Sequence, residues 1–195
     1  VVIGSGFGGL AAAIRLSLRG WRVRVLEKNA APGGRAAPHR QDGFLFDAGP
    51  TIITAPFLLE ELWTLCGRRM ADDVTLVPMD PFYRIRFHDG SHFDYSGDTA
   101  RMRAEVARFA PADVPGFDRL MAEGEFCCRL GYDELGTTAF DTLGDLVRAV
   151  PALLRMRAWR TLHQLVAGHL KDPKLRMVFS FHPLLIGGNP FAVTS

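Results

Sequence analysis

Between Val1 and Glu27 an apolar run breaks into Gly4-Ser5-Gly6-Phe7-Gly8-Gly9, and the small-residue stretch Leu10-Ala11-Ala12-Ala13-Ile14 follows. A second apolar run, Val23 to Leu26, then ends on an acid, Glu27. That order reads as strand, turn, helix, strand, and each glycine has a steric task in it. Gly4 permits the tight turn, Gly6 lets backbone approach a pyrophosphate, and Gly9 lets the helix lie close on the sheet. The helix start, with Ser5, Phe7 and Gly8 beside these glycines, offers free N–H groups and a positive dipole end to phosphates. Glu27 has the spacing of an acid that accepts from a ribose hydroxyl, with Lys28 next to it. Glycine-rich turns are common, so the motif alone is weak. A strand before it, a helix after it and Gly20 as a C-cap supply the context that makes an ADP-like moiety the expected ligand.

The next stretch extends that site. Gly33-Gly34-Arg35 begins six residues beyond Glu27 and combines backbone that can hug a phosphate with a guanidinium that can pair with it. Gly43-Phe44-Leu45-Phe46-Asp47 alternates as a short strand and leads into a tight turn at Ala48-Gly49-Pro50-Thr51, with Ile52 and Ile53 continuing as apolar backbone. Pro56 to Leu65 reads as a helix closed by Gly67, whose Leu58, Leu59, Leu62 and Leu65 form a stripe expected in the core.

Near residue 75 the composition changes. Phe82 to Phe87 alternates, Asp89-Gly90 signals a hairpin turn, and His92 to Tyr95 alternates back. His88 and His92 flank that turn, a poor geometry for a shared metal, and no metal site is expected. Helices are expected over Ala100 to Phe109, capped by Asp98 or Thr99, and over about Phe117 to Leu130. From Leu146 to Lys171 the chain carries Arg148, Arg155, Arg157, Arg160 and Lys171 and no acid, interleaved with Leu153, Leu154, Met156, Trp159 and Leu162. This reads equally as a basic helix lying on an anionic membrane surface and as a solvated basic face on a core helix.

With 195 residues and a net charge of +2, the chain has room for one large or two small domains and no charge excess that would suggest nucleic acid. Three cysteines, two of them adjacent, form no disulfide framework and suit a reducing cytoplasm. No transmembrane helix or signal peptide is legible, and a chain starting inside a strand reads as part of a longer protein.

With these residues laid out, the chain resembles the bacterial phytoene desaturase family of carotenoid-forming flavoenzymes. The resemblance runs over essentially the whole chain. It rests on the opening glycine motif, Pro32-Gly33-Gly34-Arg35-Ala36, Phe46-Asp47-Ala48-Gly49-Pro50-Thr51 and Pro81-Phe82-Tyr83-Arg84. Further landmarks are Ala158-Trp159-Arg160, Phe179-Ser180-Phe181-His182 and Gly187-Gly188-Asn189-Pro190-Phe191. It implies FAD as the cofactor, held by Gly4, Ser5, Gly6, Phe7, Gly8, Gly9, Glu27, Lys28, Gly34, Arg35, Gly49, Pro50 and Thr51.

It also implies an α/β chain: a Rossmann-like, doubly wound FAD-binding domain with an inserted α+β substrate domain that becomes helical. On that reading residues 1–75 belong to the FAD domain, and residues 76–195 begin the substrate and membrane-contact domain. The family desaturates a long apolar polyene at the cytoplasmic face of the cell membrane, with hydride passing to flavin and a proton lost. Its Asp-x-x-Arg matches Asp145 and Arg148, which share a helix face. Asp145 is then expected to accept the proton or stabilise a developing allylic cation, with Arg148 setting its charge; a surface ion pair is the alternative. A later carotenoid desaturase, a carotene isomerase, an amine oxidase or a non-catalytic isoprenoid-binding protein of the same architecture are the rival readings. Self-association into a homo-oligomer is left open.

Overall fold

The computed structural model describes the chain apart from Ala48, Pro50, Thr51, Thr137 and Ser195, and apart from the side chains of Tyr132, Asp133, Glu134, Leu185 and Ile186. It divides into two compact units, Val1–Pro78 and Met79–Ser195.

In the first unit β1 (Val2–Ile3) pairs in parallel with β2 (Val25–Leu26), and α1 (Phe7–Leu18) makes the crossover. Val2 N–H donates to the Arg24 carbonyl at 2.8 Å and Gly4 N–H to that of Leu26 at 2.7 Å, which fixes the register. Beyond α1 the chain reverses at Gly20, whose φ of 86° is left-handed and open to glycine without a Cβ penalty. This pair of strands is smaller than the doubly wound sheet expected. A hairpin follows, β3 (His39–Gln41) against β4 (Phe44–Phe46). Asp42 and Gly43 join them, both with positive φ, as a two-residue hairpin loop requires. The sequence pattern shows the second of these strands and not the first.

α2 (Pro56–Leu65) starts with its proline at the first helical position, where the missing N–H costs nothing. Its leucine stripe corrects an expectation. Leu59 and Leu62 are half-buried, but Leu58 and Leu65 are exposed. Helical spacing decides which side chains share a face, not what covers that face.

The second unit opens with β5 (Tyr83–Arg86) antiparallel to β6 (His92–Tyr95) around the Asp89-Gly90 turn. Arg84 and Asp94, opposite each other in the register, form a two-pronged ion pair at 2.6 and 2.7 Å. The other face presents Phe93, fully buried, to α3 (Thr99–Phe109), α4 (Val114–Cys128), α6 (Leu162–His169) and α7 (Pro173–Ser180). Met102, Val106, Phe117, Leu165 and Phe179 are among the other members of that core. Asp98 caps α3 by accepting from Ala100 and Arg101 N–H. Buried Asp113 accepts from the N–H groups of Lys171 and Asp172 at 2.8 and 2.7 Å, tying the α6–α7 loop to the start of α4.

The basic segment is not one helix. α5 (Leu143–Met156) stops at Arg157, which takes a left-handed φ of 54°, and Thr161 then caps α6 through a capping box with Gln164. The start of α4 also lies earlier than expected, at Val114, because Pro115 fits the first turn of a helix.

α4 crosses α6 closely at Gly116, where a Cβ would stand 2.1 Å from the His169 carbonyl oxygen. Gly124, in the same helix, has nothing within 4 Å of such an atom. Gly116→Ala is therefore expected to lower unfolding stability by about 1–3 kcal/mol through overpacking. Gly124→Ala is expected to raise it by about 0.5–1 kcal/mol through helix propensity. Paired thermal-unfolding curves check both, and equal effects would count against this crossing.

Candidate functional site

The glycine motif folds as a cradle. Gly4 has a φ of 91°, which turns the chain from β1 into α1, and a Cβ on Gly9 would stand 2.1 Å from the Gly4 carbonyl oxygen. Gly9 is thus demanded by the packing of helix on strand. Gly6 and Gly8 are not: a Cβ on Gly6 would meet its nearest neighbour, the Gly34 Cα, at 3.8 Å, and one on Gly8 would meet nothing. Both nevertheless line a cavity of about 630 Å³, together with Phe7, Gly33, Gly34, Arg35, Ala36, Ala37 and Gly49. No side chain caps the N-terminus of α1, and its first turn holds no acid. Glycines that the chain itself does not need, beside uncapped N–H groups, leave the space and the donors that a phosphate ester requires.

The downstream glycines build the opposite wall. Gly33 N–H donates to the Ser5 carbonyl at 2.9 Å and pairs alongside Gly6. Gly33 and Gly34 both have positive φ and lead into the turn Gly34–Ala36, which carries Arg35 outward to the cavity rim. Gly49 packs on that turn so closely that a Cβ would lie 2.0 Å from the Arg35 carbonyl oxygen. Of the expected turn around it, Pro50 and Thr51 lie outside the described residues.

Glu27, at the end of β2, lines an adjoining cavity of about 360 Å³ with Ser5, Gly6, Lys28, Asn29 and Gly34. Its Oε1 accepts from Asn29 N–H at 2.9 Å, and its Oε2 accepts from both the N–H and the hydroxyl of Ser5, at 2.8 and 2.7 Å. Asn29 and Ser5 together hold the carboxyl ionised, down to about 2 from an ordinary 4.5. The spacing of Glu27 from the glycines was legible; the Asn29 and Ser5 donors carry no recognisable pattern in sequence.

Asp145 and Arg148 stand at the start of α5. Asp145 closes a capping box: it accepts from Thr142 N–H and hydroxyl at 3.0 and 2.6 Å, and its own N–H donates to the Thr142 hydroxyl at 3.2 Å. Arg148 reaches it at 3.2 Å from an exposed position. The basic set separates into distinct environments. Arg155 lies over the Phe126 ring at 5.6 Å, and Arg160 pairs with Glu123 on α4. His169 Nε2 lies 2.7 Å from the other oxygen of that carboxylate. Burial works against ionisation of Glu123, but the bonds from Arg160 and His169 outweigh it and keep the carboxyl below its ordinary range. Arg160 therefore belongs to an interior clasp and not to an outward basic face. Two landmark stretches also meet, with the Tyr83 hydroxyl 3.1 Å from His182 Nε2.

A carboxyl that ionises more readily in the folded chain stabilises it above its ordinary pKa and ceases to do so as pH falls through the folded value. Glu27→Gln is accordingly expected to lower the melting temperature at neutral pH, and the gap from the parent should narrow between about 4.5 and about 2. A gap that stays constant with pH would show that the charge of Glu27 is not what its neighbours hold.

Comparison with known proteins covers the whole chain. The phytoene desaturase (neurosporene-forming) of Cereibacter sphaeroides is 50% identical over 195 residues, 100% of this chain and 38% of that protein. The phytoene desaturase (lycopene-forming) of Pseudescherichia vulneris is 48% identical over 195 residues, covering 100% and 40%. The chain thus spans about two-fifths of the length of the curated relatives it matches. Among solved structures, a triple mutant of putrescine oxidase redesigned in cofactor binding shares the fold at a TM-score of 0.55 and 19% identity, over 92% of this chain and 35% of that one. The model of the flavin containing amine oxidoreductases matches residues 7–195, from the first residue of α1 onward, and the chain belongs to that family.

Proposed function

We propose that this chain is part of an FAD-dependent desaturase that introduces double bonds into a long carotene of the phytoene type. The observation that carries the reading is the 50% identity to a phytoene desaturase, sustained through both units and not confined to the glycine motif. The cavity chemistry suits the ADP moiety of FAD. Gly6, Gly8 and the α1 N-terminus suit a pyrophosphate, Arg35 adds a cation at the rim, and Glu27 suits an adenosine ribose. Bound flavin would supply the acceptor for a hydride leaving an allylic carbon. On this reading residues 1–75 begin a Rossmann-like FAD domain and residues 76–195 begin an inserted substrate and membrane-contact domain.

Asp145 is the proposed proton acceptor, and Arg148 is the cation paired with it. Asp145→Asn separates the two roles, because Asn retains the acceptor oxygen that the cap needs. The test is product analysis after expressing the full-length protein in a phytoene-making host. The parent should yield desaturated carotenes. Gly6→Ala should fold, since its Cβ has room within the chain, yet lose flavin affinity about tenfold or more by filling the cradle. Asp145→Asn should keep flavin and lose about 10²–10⁴-fold in turnover. Full turnover in Asp145→Asn would leave Asp145 as a helix cap alone, and a parent that forms no new double bonds would overturn the function.

Attachment to an anionic membrane surface is the second part of the proposal, on the cytoplasmic side. Among the described residues no helix is long and apolar enough to cross a membrane. α5 suits lying on one. Asp145, Ala149, Ala152 and Met156 face inward, while Leu143, Val147, Val150 and Leu154 form an exposed apolar stripe, Leu143 at 77% and Val147 at 62%. Helical geometry places Arg148 and Arg155 along one border of that stripe. Replacing Val147 and Val150 with Asn should weaken binding of the full-length protein to phosphatidylglycerol vesicles about tenfold or more. Arg148→Gln with Arg157→Gln should make binding less salt-sensitive. Arg160→Gln should instead lower thermal stability, because it breaks the clasp with Glu123. Unchanged vesicle partitioning in the valine variant would remove α5 from the membrane face.

A further inference from the structure

We infer that the Ser5 hydroxyl is a positioning group for nucleotide recognition: it holds Glu27 by Oε2 so that Oε1 is presented to a ribose hydroxyl. The inference rests on the flavin reading above and concerns how this chain prepares its own carboxylate. An ionised carboxylate offers about four acceptor positions, two on each oxygen. Ser5 takes both on Oε2, with its N–H at 2.8 Å and its hydroxyl at 2.7 Å. Asn29 N–H takes one on Oε1 at 2.9 Å. Oε1 is thus the less fully occupied oxygen, on a residue that lines the smaller cavity.

The clamp is built into the fold. Ser5 is 4% exposed and lies between the left-handed Gly4 and the cradle glycine Gly6, and its carbonyl is held in turn by Gly33 N–H. Its hydroxyl therefore has little freedom to leave Glu27. The charged side chains lining that cavity, among the described residues, are Glu27 and Lys28, so no other carboxylate there can replace the acceptor. Asn29 and Ser5 also keep Glu27 ionised far below neutral pH, so the acceptor presented is a charged one. A carboxylate fixed in one orientation discriminates for and against a hydroxyl at one point. Held only by backbone N–H groups, it can turn and accept from solvent instead.

The experiment uses the full-length protein with its flavin, followed by fluorescence as FAD is displaced by ADP or by deoxy-ADP lacking the ribose 2′-hydroxyl. The parent should favour ADP about tenfold, the scale of one hydrogen bond to a charged acceptor. Ser5→Ala should bring the two competitors to within about twofold while melting within a few degrees of the parent, and Glu27→Gln should do the same. Ser5→Cys, close in shape but a weak donor, should behave like the alanine variant and serves as the reading if Ser5→Ala does not hold flavin. A parent-like ADP preference in both Ser5 variants overturns the proposal, as does a parent that treats the two competitors alike. Failure of ADP to displace FAD at all would instead strike the placement of the cofactor in this cleft.

Discussion

The approach of α1 to β1 governs the first unit. A Cβ on Gly9 would lie 2.1 Å from the Gly4 carbonyl oxygen, so the helix start can sit on the strand end only because Gly9 lacks a side chain and Gly4 can take a φ of 91°. From that contact the rest follows locally. The α1 N-terminus is brought against the end of β1, the end of β2 returns beside it, and Ser5 falls within reach of Glu27. The Gly33–Gly34 backbone then lies alongside Gly6, close enough to crowd a side chain at Gly34, whose Cβ would stand 3.0 Å from the Gly6 Cα. Steric exclusion, more than any attraction, shapes the cradle.

The second unit depends on a different balance. Phe93, Phe117 and Phe179 bury fully or nearly so in one aromatic core, with ring centroids 5.5–5.9 Å apart. Polar side chains then tie the helices around it. Asp113 takes two loop N–H groups, and Glu123 takes Arg160 and His169. Burying these groups is tolerable because each carboxylate is met by donors; an unpaired buried charge would cost far more than the pairing returns. The same clasp explains why one run of basic sequence serves two ends, with Arg160 turned inward while Arg148 and Arg157 stay exposed.

Local patterns were legible where a residue's requirement is met within a few positions. Gly9 against the strand, Gly20 and Gly67 after their helices, Pro56 at a helix start and the Asp89-Gly90 hairpin all follow from short-range sterics. The strand His39–Gln41 was not legible, because its three residues are exposed and carry no alternation. The leucine stripe of α2 misled for the opposite reason: its period is clear, yet Leu58 and Leu65 face outward within this unit. Asp145 shows the limit for the site. Its spacing from Arg148 fits a functional pair, and its bonds to Thr142 fit a helix cap equally well.

The sequence by itself determined the glycine turn, the acid at the end of the second strand and the first four helices, because these depend on backbone freedom and on periods within one element. The tertiary structure alone decided which donors meet Glu27, that Arg160 and His169 share Glu123, and that Tyr83 meets His182 across 99 positions of chain. Such pairings depend on side-chain distances between segments remote in sequence, and no periodicity encodes them. The glycine motif therefore specified a place for a nucleotide, while the fold specified how its carboxylate is held to receive one.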